Sequence, residues 1–295
     1  MTTARITQRL MIDRSLSSLQ LGLGRLSETQ EKLSTGRVIN RPSDSPTGTN
    51  DAMRLRADLA ANAQYARNAD DGLSWLGQTD STLTSMLDSV RRARDLIVHG
   101  ASTGGTSPEA RAAIAQELTQ IRAGLVDEAN TQHLGRPLFG GTTANSSAYA
   151  ANGAYLGDGN PVSRTVGAGI DVAVNVTGPT AFSTGADDLF TVLQDVIGQL
   201  STTPGAVSGS LVRLDAVAAR MRAAQADIGT RANRVEGAQT SLSMAKLDNE
   251  KSLSDVENVD IAQAIVDLQM QEVAYQAALG ATSRVLQPTL LDFLR

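Results

Sequence analysis

The clearest evidence for the fold of this chain is the segment at residues 12–33, IDRSLSSLQLGLGRLSETQEKL. Its apolar positions are spaced alternately by four and three residues, with the polar Gln30 as the one exception: Ile12, Leu16, Leu19, Leu23, Leu26 and Leu33. This is the heptad period, which keeps one apolar stripe turned toward a partner helix. The stretch therefore predicts a long helix with a coiled-coil-like seam, and its six apolar residues are candidate assembly residues.

The other end of the chain repeats this spacing. Between residues 261 and 286, eight positions follow one another at spacings of four and three. Two of them are the polar residues Glu272 and Thr282. The other six form a second set of candidate assembly residues: Ile261, Ile265, Leu268, Tyr275, Leu279 and Leu286. Each seam needs a partner, because an isolated amphipathic helix is only marginally stable in water. We therefore expect both chain ends, residues 1–42 and 255–295, to form coiled-coil-like helices.

A helical body is predicted for residues 43–140 and 185–254. Heptad-like apolar spacing marks residues 73–90 and 114–125, and Ser107 followed by Pro108 predicts an N-cap and a first helical position. The longest seam runs from Leu211 past Leu242, and no proline interrupts the chain between Gly205 and Gln287. Arg231 is the one charged residue in this seam. It either pairs with a carboxylate inside the protein or points outward at a break in the helix.

Residues 141–184 follow a different pattern. They are rich in glycine, and Val172, Val174 and Val176 alternate with other residues as in a half-buried strand. The segment Gly157–Asn160 predicts a turn before that strand. The chain is thus expected to be mainly α, with a small β-rich domain inserted mid-chain, in a hairpin-shaped rod whose two ends meet.

The charges of the two ends are opposite. Residues 1–41 contain seven basic and three acidic side chains, a net charge of +4, whereas residues 255–295 contain six acidic and two basic ones, a net charge of −4. Opposite charges beside apolar seams favour pairing of two helices. The alternative interpretation is two solvated helix faces whose charge imbalances are coincidental.

Composition excludes several classes of function. The chain has no cysteine and two histidines, which argues against disulfides, thiolate metal sites and histidine-rich metal sites. A net charge of −5 argues against a nucleic-acid partner, and no apolar run is long enough for a signal-peptide core or membrane insertion. No cofactor is expected. The chain is predicted to be cytoplasmic, or to leave the cell without a cleaved signal.

The segment LSTGRVINRPSDSP, residues 33–46, resembles the signature that ends the N-terminal helix in the flagellin superfamily. Its Pro-Ser-Asp form is similar to the hook-associated protein 3 group, the hook-filament junction proteins, more than to filament flagellins. Residues 138–142, LFGGT, and residues 228–236, IGTRANRVE, resemble two further superfamily motifs. Ser45 departs from many relatives, which carry a second aspartate there.

The resemblance implies a flagellin-like fold and a structural role outside the cell, in the bacterial flagellum. Such proteins are exported unfolded by the flagellar type III export apparatus with a dedicated chaperone. They assemble with further copies of themselves into a ring-like structure, between hook-associated protein 1 and flagellin. Their terminal helices form the inner wall of the tube. Filament flagellin itself is the near alternative.

The signature residues Arg37, Asn40 and Asp44 complete the candidate assembly residues. Asp44 could instead be a catalytic group, as in a hydrolase, but it has no neighbouring histidine or second carboxylate in the motif. A turn or inter-subunit hydrogen bond explains it better. The sequence offers no nucleophile motif, so an enzyme and a cytosolic coiled-coil scaffold are the weaker alternatives to a flagellar structural protein.

Overall fold

The computed structural model describes residues 2–102 and 107–286, and this part of the chain is mainly helical, as the heptad spacing predicts. Its helices are α1 (Thr2–Thr35), α2 (Pro46–Ala101), α3 (Pro108–Ala129), α4 (Gly178–Phe182), α5 (Leu189–Thr202), α6 (Val207–Glu257) and α7 (Ile261–Leu286). Its strands are β1 (Gln132–His133), β2 (Arg136–Pro137), β3 (Ser163–Gly167) and β4 (Ile170–Ala173). Single 3₁₀ turns lie at Gly185–Asp187 and Pro204–Ala206.

The chain divides into two compact units. The first contains residues up to 60 together with residues from 246 onward, and the second contains residues 61–245. The two ends of the chain thus fold together in one unit. Residues 141–184, predicted to be a separate insertion, lie in the second unit with the central helices.

The second unit has one hydrophobic core built from α2, α3, α5, α6 and the β-rich segment. The predicted seam of α6 faces this core, since most of its members are buried: Leu214, Val217, Met221, Ala224, Ile228 and Val235. Ser107 caps α3, with its hydroxyl accepting a hydrogen bond from the Ala110 amide over 3.2 Å. Pro108 occupies the first helical position, as the sequence predicts.

The β-rich segment shares its core with the helices. The ring of Tyr149 lies 4.9 Å from that of Phe190 on α5, and the ring of Phe182 lies 4.9 Å from that of Phe139. Edge-to-face aromatic pairs of this kind add to the free energy gained by burying apolar area. Residues inside and outside the predicted insertion, residues 141–184, therefore contribute to the same core.

The strands differ in detail from the sequence prediction. β3 and β4 form an antiparallel hairpin with Arg164 opposite Val172, and the turn lies at residues 168–169 rather than at 157–160. Residues 157–160 instead form a loop in which the Asp158 carboxylate accepts hydrogen bonds from the amide and hydroxyl of Thr142, over 2.7 and 2.6 Å. The short β1–β2 hairpin was not predicted, because two-residue strands carry no periodicity.

One interruption was also not predicted. α6 ends at Glu257 and α7 begins at Ile261, although no proline lies between Gly205 and Gln287. Residues 258–260 instead pair with the segment that follows α1, in an antiparallel bridge between Arg37 and Asn258. The break thus combines a tertiary contact, which the local sequence does not reveal, with a local cap of α7 by Asp260.

Candidate assembly surface

The first unit is built on an antiparallel pair formed by α1 and α7. The hydroxyl of Thr29 donates a hydrogen bond to the side-chain oxygen of Gln271 over 3.0 Å. A Cβ atom at Gly22 would lie 3.4 Å from the ring of Tyr275, so the two helices approach closely at this glycine. The two ends of the chain are therefore partners, as the paired seams predict.

The stripe of α1 that faces α7 differs from the predicted one at alternate positions. The half-buried residues of this stripe follow the heptad period: Ile12, Ser15, Leu19, Gly22, Leu26, Thr29 and Leu33. The predicted members Leu16 and Leu23 are each 52% exposed. Ser15 and Gly22 take the facing positions because small side chains let the two helices approach more closely than leucines would.

The same displacement occurs on α7. Its inward residues are Ala264, Leu268, Gln271, Tyr275, Ala278 and Thr282. The predicted members Ile261, Ile265 and Leu279 are exposed, and the side chain of Leu286 lies outside the described residues. On both helices, every second predicted position is thus replaced by the residue one place earlier in the chain.

Sequence reasoning missed these small and polar positions for an identifiable reason. Leucines of α1 lie on two neighbouring stripes, and a search for apolar spacing joins them into one seam. The signal that could have separated them is a heptad of small residues at Ser15, Gly22, Thr29 and Gly36. Small residues permit close helix contact, whereas the leucines beside them stay on the outer face.

Apolar side chains remain on the outer faces of α1 and α7. Large hydrophobic residues of the first unit that are more than 40% exposed include Leu16, Leu21, Leu23, Ile261, Ile265, Val266, Met270, Val273 and Leu279. Their accumulation on two adjacent helices distinguishes them from the scattered apolar residues that any surface carries. This outer face is the candidate assembly surface.

The charges of the two helices do not form direct ion pairs. Among the described side chains, no basic group of α1 lies within 4.0 Å of an acidic group of α7. Arg25 and Lys32 instead line a groove together with Asp260 and Asp267. Asp260 caps α7, since its carboxylate accepts hydrogen bonds from the amides of Ala262 and Gln263. The predicted charge pairing of the ends stays a prediction.

Asp44 shapes the segment that connects α1 to α2. Its carboxylate accepts hydrogen bonds from the amides of Asn40 and Arg41, over 3.1 and 2.8 Å. These bonds hold the pKa of Asp44 below its ordinary value. Gly36 begins the connector with a φ of +70°, a conformation that glycine adopts without strain. Asp44 thus has the turn geometry expected of a structural residue.

Two neighbouring residues complete the connector. The side-chain amide of Asn40 donates to the carbonyl of Arg37 over 3.3 Å, and the guanidinium of Arg37 is exposed. The hydroxyl of Ser45, where many relatives are expected to carry aspartate, accepts a hydrogen bond from the amide of Gly48 over 3.1 Å. Ser45 therefore caps α2 in place of a carboxylate.

An ion pair that the sequence does not reveal joins the first part of α2 to the end of α6. The guanidinium of Arg56 on α2 lies 2.7 Å from the carboxylate of Glu257, which ends α6 and is 7% exposed. No local pattern pairs residues that lie 201 positions apart. Only the fold brings them together.

Within residues 2–102 and 107–286, no group of three or more histidine, aspartate or glutamate side chains is placed to hold a metal ion. None of the helices in that part of the chain has the length and apolarity needed to cross a membrane.

Comparison with known sequences gives matches across both ends of the chain. Residues 8–144 match the family of bacterial flagellin N-terminal helical regions, and residues 211–294 match that of bacterial flagellin C-terminal helical regions. Flagellar hook-associated protein 3 of Salmonella typhimurium is 25% identical, over 93% of this chain and 94% of the relative. A flagellar filament 30.7 kDa core protein of Treponema maltophilum is 27% identical, over 85% of each chain.

Solved structures show the same fold. The crystal structure of flagellar hook-associated protein 3 from Legionella pneumophila matches with a TM-score of 0.62 at 15% identity, covering 69% of this chain and 98% of that chain. FlgL from Xanthomonas campestris matches with a TM-score of 0.61 at 19% identity, covering 68% and 99% of the two chains. The long helices with a small strand region between them are thus a shared architecture.

Proposed function

Because this chain belongs to the bacterial flagellin family and is a flagellar structural protein, we propose that it forms the junction between the hook and the flagellin filament. In this role it joins hook-associated protein 1 on one side to flagellin on the other, and it contacts further copies of itself in a ring. The observation that carries the proposal is the apolar outer face of the α1–α7 pair.

That outer face fits a subunit whose terminal helices are completed by neighbours. Leu16 and Leu23 on α1, and Ile265 and Leu279 on α7, expose apolar area to water in the single chain. Covering such area contributes about 25 cal/mol per Å². Each copy that packs against the pair therefore gains free energy, and this gain drives assembly through the two chain ends.

The same surface bears on export. We propose that the chain reaches the extracellular flagellum through the type III export apparatus, without a cleaved signal peptide, and that a chaperone covers its apolar ends before export. The chain has no cysteine that could cross-link it in transit. No catalytic role is proposed for Asp44, whose carboxylate already accepts two backbone amides.

The alternative candidate is a filament flagellin. It is favoured by the likeness to the flagellar filament core protein of Treponema maltophilum, which extends over 85% of this chain. A junction subunit and a filament subunit use the same kind of terminal helices, so the geometry of α1 and α7 supports both. They differ in what a cell without the protein still makes.

Deletion of the gene in the source bacterium distinguishes the two roles. If the chain is a junction protein, the cells keep their hooks, lack filaments and release unpolymerised flagellin into the medium. The measurements are electron microscopy of the cell surface and immunoblots of the culture supernatant. Filaments of normal length would contradict both roles. Hooks that carry a junction but no flagellin in the medium would favour the filament subunit.

A further inference from the structure

The break between α6 and α7 contains no residue that prevents a helix. It consists of Asn258, Val259 and Asp260, and neither glycine nor proline lies between Gly237 and Gly280. Asparagine, valine and aspartate each cost a helix interior less than 1 kcal/mol relative to alanine. The sequence from α6 into α7 could therefore continue as one helix. Asp260 is also suited to the interrupted form, in which it caps α7, so contacts from outside the segment decide between the two.

The interruption comes from the connector that follows α1. The amide of Val38 donates a hydrogen bond to the carbonyl of Glu257 over 2.7 Å, and the amide of Val259 donates to the carbonyl of Gly36 over 3.0 Å. In a continuous helix, the carbonyl of Glu257 would accept from Ile261 four residues later. Val38 thus binds the acceptor that Ile261 would use.

The side chain of Glu257 makes a second contact, with Arg56 on α2. Its two carboxylate oxygens lie 2.7 and 2.9 Å from one guanidinium nitrogen of Arg56. Because Glu257 is 7% exposed, leaving its carboxylate without Arg56 would be costly. The last residue of α6 is thereby held at a fixed point beside α2.

The interrupted helix and a continuous helix would contain nearly equal numbers of hydrogen bonds at this point. The broken state has the two bonds to the connector and the two bonds that Asp260 accepts from Ala262 and Gln263. A continuous helix would replace them with five backbone bonds, from the amides of residues 259–263 to the carbonyls four residues earlier. The balance is therefore close, and the Arg56–Glu257 ion pair favours docking because it holds the end of α6 beside the connector.

We propose that α6 and α7 form one continuous helix whenever the connector is undocked, and that docking of Gly36–Val38 splits this helix at Asn258–Asp260. The chain then has a conformational switch in which its N-terminal segment controls the start of its C-terminal helix. Since α7 begins at the break, the switch also sets the register in which α7 meets α1. This inference goes beyond the junction role and does not depend on it.

The test follows the Cα chemical shifts of Asn258, Val259 and Asp260 in the isotopically labelled full-length chain. Val38→Pro removes the connector amide that donates to the carbonyl of Glu257, and Arg56→Gln removes the ion pair that holds Glu257 beside the connector. Both variants leave every residue of the break unchanged. In the unmodified chain we expect extended shifts at Asn258 and Val259. In both variants these resonances should move downfield to helical values.

Matched controls change exposed ion pairs of the same helices. Arg54→Gln removes the pair with Asp51 on α2, and Glu250→Gln removes the pair with Lys246 on α6. Both controls should keep the shifts of the unmodified chain. The amide signals of α1 and α7 report whether the first unit of each variant remains folded, and the indole signal of Trp75 reports the same for the second unit, in which it is buried.

Two results would overturn the proposal. If the shifts of residues 258–260 stay extended in both folded variants, docking of the connector does not maintain the break. If the shifts move to random-coil values, the released segment does not join α6 to α7. Helical shifts in the unmodified chain would equally contradict a break held by docking.

Discussion

The hydroxyl of Thr29 on α1 donates a hydrogen bond across the helix pair to the side chain of Gln271 on α7, over 3.0 Å. Both residues are half-buried in an otherwise largely apolar contact. A polar pair at such a position favours one register of the two helices, because a shift by one turn would break the bond to Gln271 and leave the Thr29 hydroxyl only the carbonyl of Arg25 on its own helix, 3.1 Å away. The pair therefore identifies the stripe of α1 that faces α7 and leaves a second leucine stripe on the outside.

The first prediction separates these two stripes within the single chain. Leu19→Ala and Leu26→Ala should each weaken docking of α1 on α7 by about 1 to 2 kcal/mol, because both side chains are half-buried. Leu16→Ala and Leu23→Ala should cost less than about 0.5 kcal/mol, because these side chains are mainly exposed. Hydrogen exchange of the α1 and α7 amides measures the difference.

The same four variants should affect assembly in the opposite order, with the larger losses from the two exposed leucines. In cells that lack the native gene, Leu16→Ala and Leu23→Ala chains should be secreted normally but support few filaments, counted by electron microscopy. Equal losses of helix docking from the two pairs would mean that the facing stripe has been assigned incorrectly.

A second prediction concerns Arg231, for which the sequence left two alternatives. Its side chain is 29% exposed, lies 2.5 Å from Asp227, and donates to the carbonyls of Ala173 and Asn175 over 3.2 and 2.9 Å. Arg231→Lys should lower the free energy of unfolding by about 1 to 2 kcal/mol, because an ammonium group cannot reproduce this planar arrangement. Urea unfolding followed by Trp75 fluorescence measures the loss.

Arg234→Lys is the matched control for that substitution. Arg234 is exposed on the same helix, so its replacement should change stability by less than about 0.5 kcal/mol. Similar effects of the two substitutions would show that the contacts of Arg231 with the strand region contribute little.

A third prediction compares two glycines. A Cβ atom at Gly178 would overlap the hydroxyl of Tyr149, and both residues are buried in the core that the β-rich segment shares with the helices. Gly178→Ala should destabilise the second unit by about 1 to 3 kcal/mol through overpacking. Thermal unfolding monitored by Trp75 fluorescence should show the lower midpoint.

Gly229 provides the opposite case. It lies exposed inside α6, and a Cβ atom there would meet no atom within 4 Å. Gly229→Ala should therefore stabilise the chain by about 0.5 to 1 kcal/mol, the difference in helix propensity. If the midpoint of thermal unfolding falls in Gly229→Ala as well as in Gly178→Ala, the loss at Gly178 does not come from overpacking against Tyr149.

The helices were predictable from the sequence where their seams face a core. Val217, Met221 and Ile228 of α6 are buried as the spacing predicts. A helix with a single apolar stripe can bury that stripe in only one rotation about its axis. On α1 the prediction of a helix is confirmed, but its facing stripe is displaced. Two leucine stripes compete there, and the choice is made by the small side chains of Ser15 and Gly22.

Long-range contacts account for what the sequence could not predict. The end of α6 depends on Val38, and the burial of Glu257 depends on Arg56, at separations of about 200 residues along the chain. Similarly, the turn of the β hairpin lies at residues 168–169 because β3 pairs with β4 there. The spacing of apolar residues predicts which side chains are buried against another segment, but it does not identify that segment.

The last prediction rests on the carboxylate of Asp188, which caps α5 inside the core of the second unit. It is 7% exposed, and it accepts hydrogen bonds from the amides of Phe190 and Thr191. Burial raises the pKa of Asp188 from its ordinary value of 3.8 to about 6, although the two amides and Arg122 oppose the shift. Between these pH values the folded chain keeps a proton that the unfolded chain has lost.

This proton difference sets the direction of the pH dependence. Asp188 should make the folded state lose stability as the pH rises from about 4 to about 6, by up to about 3 kcal/mol, with no further change above pH 6. Asp188→Asn keeps an oxygen that can cap α5 but cannot titrate. The free energy of unfolding of this variant, minus that of the unmodified chain, should therefore increase over the same pH range. Urea unfolding of both chains at several pH values, followed by Trp75 fluorescence, measures that difference and cancels the titration of other carboxylates. Parallel pH profiles would mean that Asp188 ionises equally in the folded and unfolded chains, and that its burial carries no electrostatic cost.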